Sequence, residues 1–122
     1  MAGQIRIVTK SVTMTATLND SKTAGALLKA LPVSSTAERW GDEVYFSVPV
    51  EMGPEDAQAK VPSGTVAYWP EGPALCLFFG QTPYSPVNVV GMLDGDAKLF
   101  AKVAAGEPVR VEKVTSPGTR NP

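Results

Sequence analysis

The stretch GTVAYWPEGPALCLFFGQTP, residues 64–83, constrains the fold of this chain more than any other. Two short apolar runs, Thr65 to Trp69 and Ala74 to Phe79, are joined by Pro70-Glu71-Gly72-Pro73 and closed by Gly80-Gln81-Thr82-Pro83. Proline and glycine punctuate a chain into turns, and runs this short between them read as paired strands. Tyr68, Trp69, Phe78 and Phe79 crowd the block, with Tyr84 just past its end. Aromatics gathered in this way mark a core or a binding face. Neighbours on a strand point to opposite sides, so one of Tyr68 and Trp69 faces inward and the other outward. Leu75, Leu77 and Phe79 share one face, and Cys76 and Phe78 share the other. The alternation leaves open which of these faces is interior.

The rest of the chain repeats the strand signal. Ile5 and Ile7 alternate with Arg6 and Val8, and Val12, Met14, Ala16 and Leu18 alternate with threonines. Such period-two patterns are half-buried strands, here joined by a tight hairpin at Lys10-Ser11. Asn19, Asp20 and Ser21 supply N-cap side chains. Ala24, Leu27, Leu28 and Leu31 then fall at i, i+3, i+4 and i+7, which predicts one helix over about 22–31, ended by Pro32. Further strands are predicted at 33–38, 43–48, 65–69, 74–79, 88–93 and 108–114. Residues 54–57 are read as a single helical turn, and 97–103 as a short helix or irregular segment. The expected domain is residues 1–115, with 116–122 as a flexible tail. Seven to eight strands and one main helix define a mainly-β sandwich or closed barrel. A barrel removes the edge strands that such a chain would otherwise expose.

Composition excludes several functions. With 122 residues the chain is long enough for one domain with a sizeable core. It contains no histidine, which removes Ser-His-Asp and Cys-His catalysis and the commonest metal ligand. With Cys76 as its one cysteine it can form neither an internal disulfide nor a cysteine zinc site, so no metal and no cofactor are expected. Net charge is −1 and the basic residues are scattered, so no nucleic-acid partner is expected. No signal peptide, membrane span or membrane-binding helix is apparent, and the chain reads as soluble and cytoplasmic.

Several residues have the chemistry of a site. Trp40 stands in a Trp-Gly-Asp turn, and Trp69 ends a strand before Pro70, both at positions where clefts form. Glu43 opens the strand EVYFSV with Tyr45 on its face, and is a weak catalytic candidate as an acid or base. Gln81 and Thr82 place polar groups beside Tyr68 and Phe79. An apolar wall with a few placed polar groups is what a small-ligand pocket requires. Cys76, with no Lys or His close in sequence, reads as a buried hydrophobe rather than a nucleophile.

The order of these elements resembles a family. A strand pair is followed by a helix ending Leu27-Leu28-x-x-Leu31-Pro32, then Trp40-Gly41-Asp42-Glu43-Val44-Tyr45-Phe46. The block from Gly64 through Tyr68-Trp69-Pro70 to Thr82-Pro83 comes next, then Val87-Asn88-Val89-Val90-Gly91. Over about residues 4–114 this is similar to the small prokaryotic cyclophilin-like proteins of unassigned activity. The resemblance implies a closed eight-stranded cyclophilin-like β-barrel. Against true cyclophilins, Gly64, the Pro70–Pro73 turn and Leu77-Phe78-Phe79 resemble the core block, and Asn88-Val89-Val90-Gly91 resembles a later strand. The isomerase arginine would fall on Val44-Tyr45-Phe46-Ser47, which has none. Leu77 takes the place of a glutamine, and the pocket histidine has no counterpart.

The expected function is that of a domain binding a small molecule or short peptide in a cleft lined by Trp40, Glu43, Tyr45, Tyr68, Trp69, Phe79, Gln81 and Thr82. Its alternative is a degenerate or atypical peptidyl-prolyl isomerase. By analogy of fold alone, such a barrel can also serve as a subunit of a larger amide-hydrolysing system.

Overall fold

The computed structural model describes residues 3–80 and 85–114. The chain opens with β1 (Gln4–Thr9) and β2 (Thr13–Leu18). Their hairpin is tied by the Thr9 amide and hydroxyl, which donate to the Val12 carbonyl at 2.7 and 2.9 Å. Helix α1 (Lys22–Ala30) follows, with the Ser21 side chain accepting from the Ala24 amide and Leu31 as C-cap. Then come β3 (Val33–Thr36), β4 (Glu38–Arg39), β5 (Glu43–Ser47), β6 (Thr65–Trp69), β7 (Ala74–Phe78) and β8 (Asn88–Leu93). A 3₁₀ helix (Ala97–Lys102) leads to β9 (Pro108–Lys113).

The strands form one antiparallel sheet in the order β3-β9-β1-β2-β8-β6-β7-β5-β4. Its two ends, β3 and β4, are consecutive in the chain, so the sheet curls into a nearly closed barrel. Among the described residues nine strands replace the eight expected. The predicted strand at 33–38 is split at Ala37, whose amide donates to the Glu107 carbonyl and whose carbonyl accepts from the Gly106 amide, both at 2.8 Å. That detour breaks the ladder and leaves β4 as a separate two-residue strand on β5.

Strand alternation fills the barrel. Ile5, Ile7, Ala16, Val44, Phe46, Val66, Tyr68, Leu75 and Leu77 are buried in one core, capped by Ala24 and Leu27 of α1 and by Phe100. This settles the inward face of β7 as that of Leu75 and Leu77, and of β6 as that of Val66 and Tyr68. Between β6 and β8 the register slips at Val66/Ala67: Val66 pairs with Gly91 but Ala67 with Val89, so Val90 is an extra residue, a β-bulge.

Residues 54–57 do not form the expected helical turn, because their polar groups are engaged elsewhere. The Glu55 carboxylate accepts from the Lys22 and Thr23 amides and the Thr23 hydroxyl at 2.9, 2.8 and 2.6 Å, capping α1. Its own amide donates to the Asn88 side chain at 2.8 Å. The Thr23 hydroxyl and the two α1 amides hold the Glu55 carboxyl below its usual range. The expected tail at 116–122 lies outside the described residues.

Candidate functional site

The outer face of the barrel at β5, β7, β6 and β8 is not left to solvent. Cys76, Phe78, Ala67, Val61 and Val87 form a second buried cluster, with Tyr45, Trp69 and Val89 packed against it. The crossing segment between β5 and β6 covers this face. It is sewn to the start of β8 by reciprocal Gln58–Val87 amide bonds of 2.8 and 3.0 Å. Strand β7 is therefore buried on both sides, every residue from Ala74 to Phe78 included.

Beside this cluster lies a pocket of about 200 Å³ lined by Trp40, Glu43, Tyr45, Trp69, Cys76, Ser85 and Val87. Its walls follow from the sheet. Glu43 pairs with Phe78 and Tyr45 with Cys76, so Glu43, Tyr45 and Cys76 project from one outer surface of adjacent strands. Trp69, paired with Ala74, closes the far end. Trp40 enters from the turn before β5, held by a 3.1 Å bond from its amide to the Glu43 carbonyl, with Gly41 at φ 58°. The same turn is fixed to the end of β7, where the Phe79 amide donates to the Asp42 carbonyl at 3.0 Å. Trp40 is 44% exposed and forms the mouth of the pocket, whereas Glu43 is only 7% exposed.

The electrostatics centre on Glu43 and Cys76. Burial raises the Glu43 carboxyl above its usual range, and a hydrogen bond with the Cys76 thiol offsets part of that rise. Burial pushes the Cys76 thiol well up, and the Glu43 charge and their shared hydrogen bond push it further. The thiol is thus neutral and no nucleophile at physiological pH. No ion pair among the described residues includes Glu43. The Trp69 indole Nε1 is buried and has no hydrogen-bond partner among the described residues. No group of three or more acidic or cysteine side chains among the described residues could hold a metal ion. No helix of the structure is long and apolar enough to cross a membrane.

The raised Glu43 carboxyl has a measurable sign. Its proton is held more tightly in the folded chain than in the unfolded one. Between the ordinary carboxylate range and the raised folded value, stability therefore falls as pH rises, and the loss is complete above that window. Asp94 works in the opposite sense. Burial alone would raise it, but the Thr15 and Thr17 hydroxyls and the Gln4 amide outweigh that and lower it. Comparing wild type with Glu43→Gln isolates the one carboxyl. The variant is expected to melt higher than wild type at about pH 8 and to lose that advantage at about pH 4. An unchanged difference across that range would show that Glu43 is solvated and ionised like any surface carboxylate.

Of the residues singled out in the sequence, Trp40, Glu43, Tyr45 and Trp69 meet in this pocket. Tyr68 does not, since it faces the barrel interior at 1% exposure. Its hydroxyl donates to the Val50 carbonyl and accepts from the Met52 amide. Phe79 lies in the same core, beneath the Arg39 guanidinium 5.2 Å from its ring centre. Gln81 and Thr82 lie outside the described residues. Cys76, Ser85 and Val87 were not among the expected lining. Strand pairing of Cys76 with Tyr45 brings it there, and period two along β8 places Val87 with Val89 on the outer side.

A nearly closed antiparallel barrel capped by one main helix is the architecture of a class of small barrel domains. The chain belongs to the cyclophilin-like family, whose model matches residues 3–112. It is similar to the solution structure of the hypothetical protein AF2241 from Archaeoglobus fulgidus, with 38% identity, TM-score 0.79, and 93% of this chain and 95% of that one covered. It also shares its fold with the structure of McbB in complex with tryptophan, at 21% identity and TM-score 0.73, covering 95% of this chain and 48% of that one. None of the curated proteins matches this chain.

Proposed function

We propose that this cyclophilin-like domain binds a small molecule carrying a compact ring or head group in the outer-wall pocket. One observation carries the reading: both tryptophans of the chain line the same cavity, together with Tyr45 and a buried carboxyl. Exposed aromatic surface of this kind is costly to leave in water, and ligand sites combine such walls with few polar groups. The size also fits. A cavity of about 150 Å³ is enough for benzene, and this one measures about 200 Å³. A single ring or a branched head group fits better than a peptide segment. A protein with this fold has been solved with tryptophan bound, which makes tryptophan a sensible first probe. None of the pocket residues described is an arginine, and β5 presents Glu43 and Tyr45 instead, so prolyl isomerisation is not proposed.

The test uses the pocket's own reporters. Because Trp40 and Trp69 are the only tryptophans, intrinsic emission reads the site alone. In a screen of ring-containing fragments, ligands are expected to change that emission and to raise the melting temperature. Stabilisation should reach about 2.7 kcal/mol at a ligand concentration 100 times Kd. Trp69→Ala should weaken binding by about tenfold or more, in line with the loss of a buried aromatic anchor. A screen in which fragments stabilise wild type and Trp69→Ala alike would place the binding elsewhere and sink this reading.

A further inference from the structure

The chemistry of the pocket narrows the ligand class, on the reading that this pocket is the binding site. We infer that its ligand is a small organic cation, a protonated or quaternary amine, held between Trp40, Trp69 and Tyr45 with its charge against the Glu43 carboxylate.

Three observations converge. First, Glu43 is buried and has no cationic partner among the described residues; its side-chain partner is the neutral thiol of Cys76. A carboxylate taken out of water without a counter-charge is among the most unfavourable groups a protein can hold, unless something supplies that charge. Second, the nearest basic residue on the neighbouring strand is already engaged. Arg39 donates to the carbonyls of Ala101, Val103 and Gly41 at 3.2, 2.8 and 3.1 Å, and stacks on Phe79 in the core. It is committed to the barrel end, and among the described residues it forms no ion pair with Glu43. Third, two indoles and a phenol dominate the remaining walls, with Ser85 and Val87 beside them. Tryptophan faces are the strongest π partners for a cation, and an aromatic enclosure is how proteins recognise amines that have lost their water shell. A neutral ring would gain the same apolar contact but would leave the carboxylate uncompensated. The cation gains from both. The unpartnered Trp69 Nε1 adds a donor for a hydroxyl or carbonyl carried by the same ligand.

The experiment compares charged probes with uncharged twins of the same shape: choline with 3,3-dimethyl-1-butanol, and benzylamine with benzyl alcohol. Each is titrated by tryptophan emission near neutral pH. The cation of at least one pair is expected to bind about tenfold or more tightly than its twin. Glu43→Gln, checked for a native melting transition, should erase that preference. Trp69→Phe keeps an aromatic face and should retain the preference while weakening both members, which separates loss of charge from loss of fit. If the neutral twins bind as well as the cations, or Glu43→Gln leaves the preference intact, the inference falls while the binding reading stands. If only other, neutral fragments bind, it falls in the same way. If neither these probes nor any ring-containing fragment binds, both fall.

Discussion

Replacing Asn88 with leucine is expected to lower the unfolding free energy by about 3 kcal/mol, despite the near match in size. Asn88 is completely buried at the start of β8. Its Oδ1 accepts from the Glu55 amide at 2.8 Å, and its Nδ2 donates to the Thr23 hydroxyl at 3.1 Å and to the Gly53 carbonyl at 3.0 Å. Leucine would remove all three bonds, each worth about 1 kcal/mol net, and leave the part-buried Glu55 amide and the Gly53 carbonyl without their Asn88 partner. It would also remove the donor to Thr23, which the Glu55 carboxylate needs in place to cap α1. The effect reaches the site, because Asn88 anchors the same segment that crosses the outer sheet and bonds Val87, a pocket residue, through Gln58. Urea unfolding should show a lower midpoint with an unchanged slope. A loss below about 1 kcal/mol would mean that the stranded groups find other partners.

The second large effect is expected at Gly91, where the Gly91→Ala variant should lose about 2–3 kcal/mol by overpacking. Gly91 pairs with Leu18 on one side and Val66 on the other, where the β6–β8 register slips. A Cβ there would lie inside contact distance of the Thr17 carbonyl oxygen, with the Leu18 Cα only 3.0 Å away. Those are backbone atoms of a paired strand and cannot rotate aside, so β2 and β8 would have to part. Thermal unfolding measures the loss, and amide exchange should show faster opening at Asn19, whose amide donates to the Val90 carbonyl across that seam. Exchange unchanged from wild type would show that the seam absorbs a methyl group without separating.

The strands were readable because side-chain alternation is a property of the local backbone. Ile5 and Ile7, and Met14, Ala16 and Leu18, mark their own inward faces against polar neighbours. The same rule fails at β7, where Ala74-Leu75-Cys76-Leu77-Phe78 is apolar on both sides. One face packs in the barrel and the other lies under the crossing segment. That is why Tyr68 and Phe79 could be grouped with Trp69 in the sequence although they point into the core. The break at Ala37 was hidden for a similar reason: it depends on Gly106 and Glu107, far along the chain. So was the irregular path of 54–57, whose carboxylate and amide are claimed by α1 and Asn88.

For the site, the sequence marked Trp40, Glu43, Tyr45 and Trp69 by residue type and position, and the absence of histidine excluded most of the catalysis that could have been imagined for them. Strand period and turn residues were enough to determine a mainly-β sandwich or barrel, because both act over a few neighbouring residues, and the resemblance carried by the Gly64–Pro83 block pointed to the barrel. Only the tertiary structure decided which face of β6 and β7 is the wall of a pocket. It alone showed that Glu43 is buried beside a neutral thiol with no counter-charge among the described residues. Burial and charge pairing are set by segments that meet after long detours of the chain, and no local pattern records them.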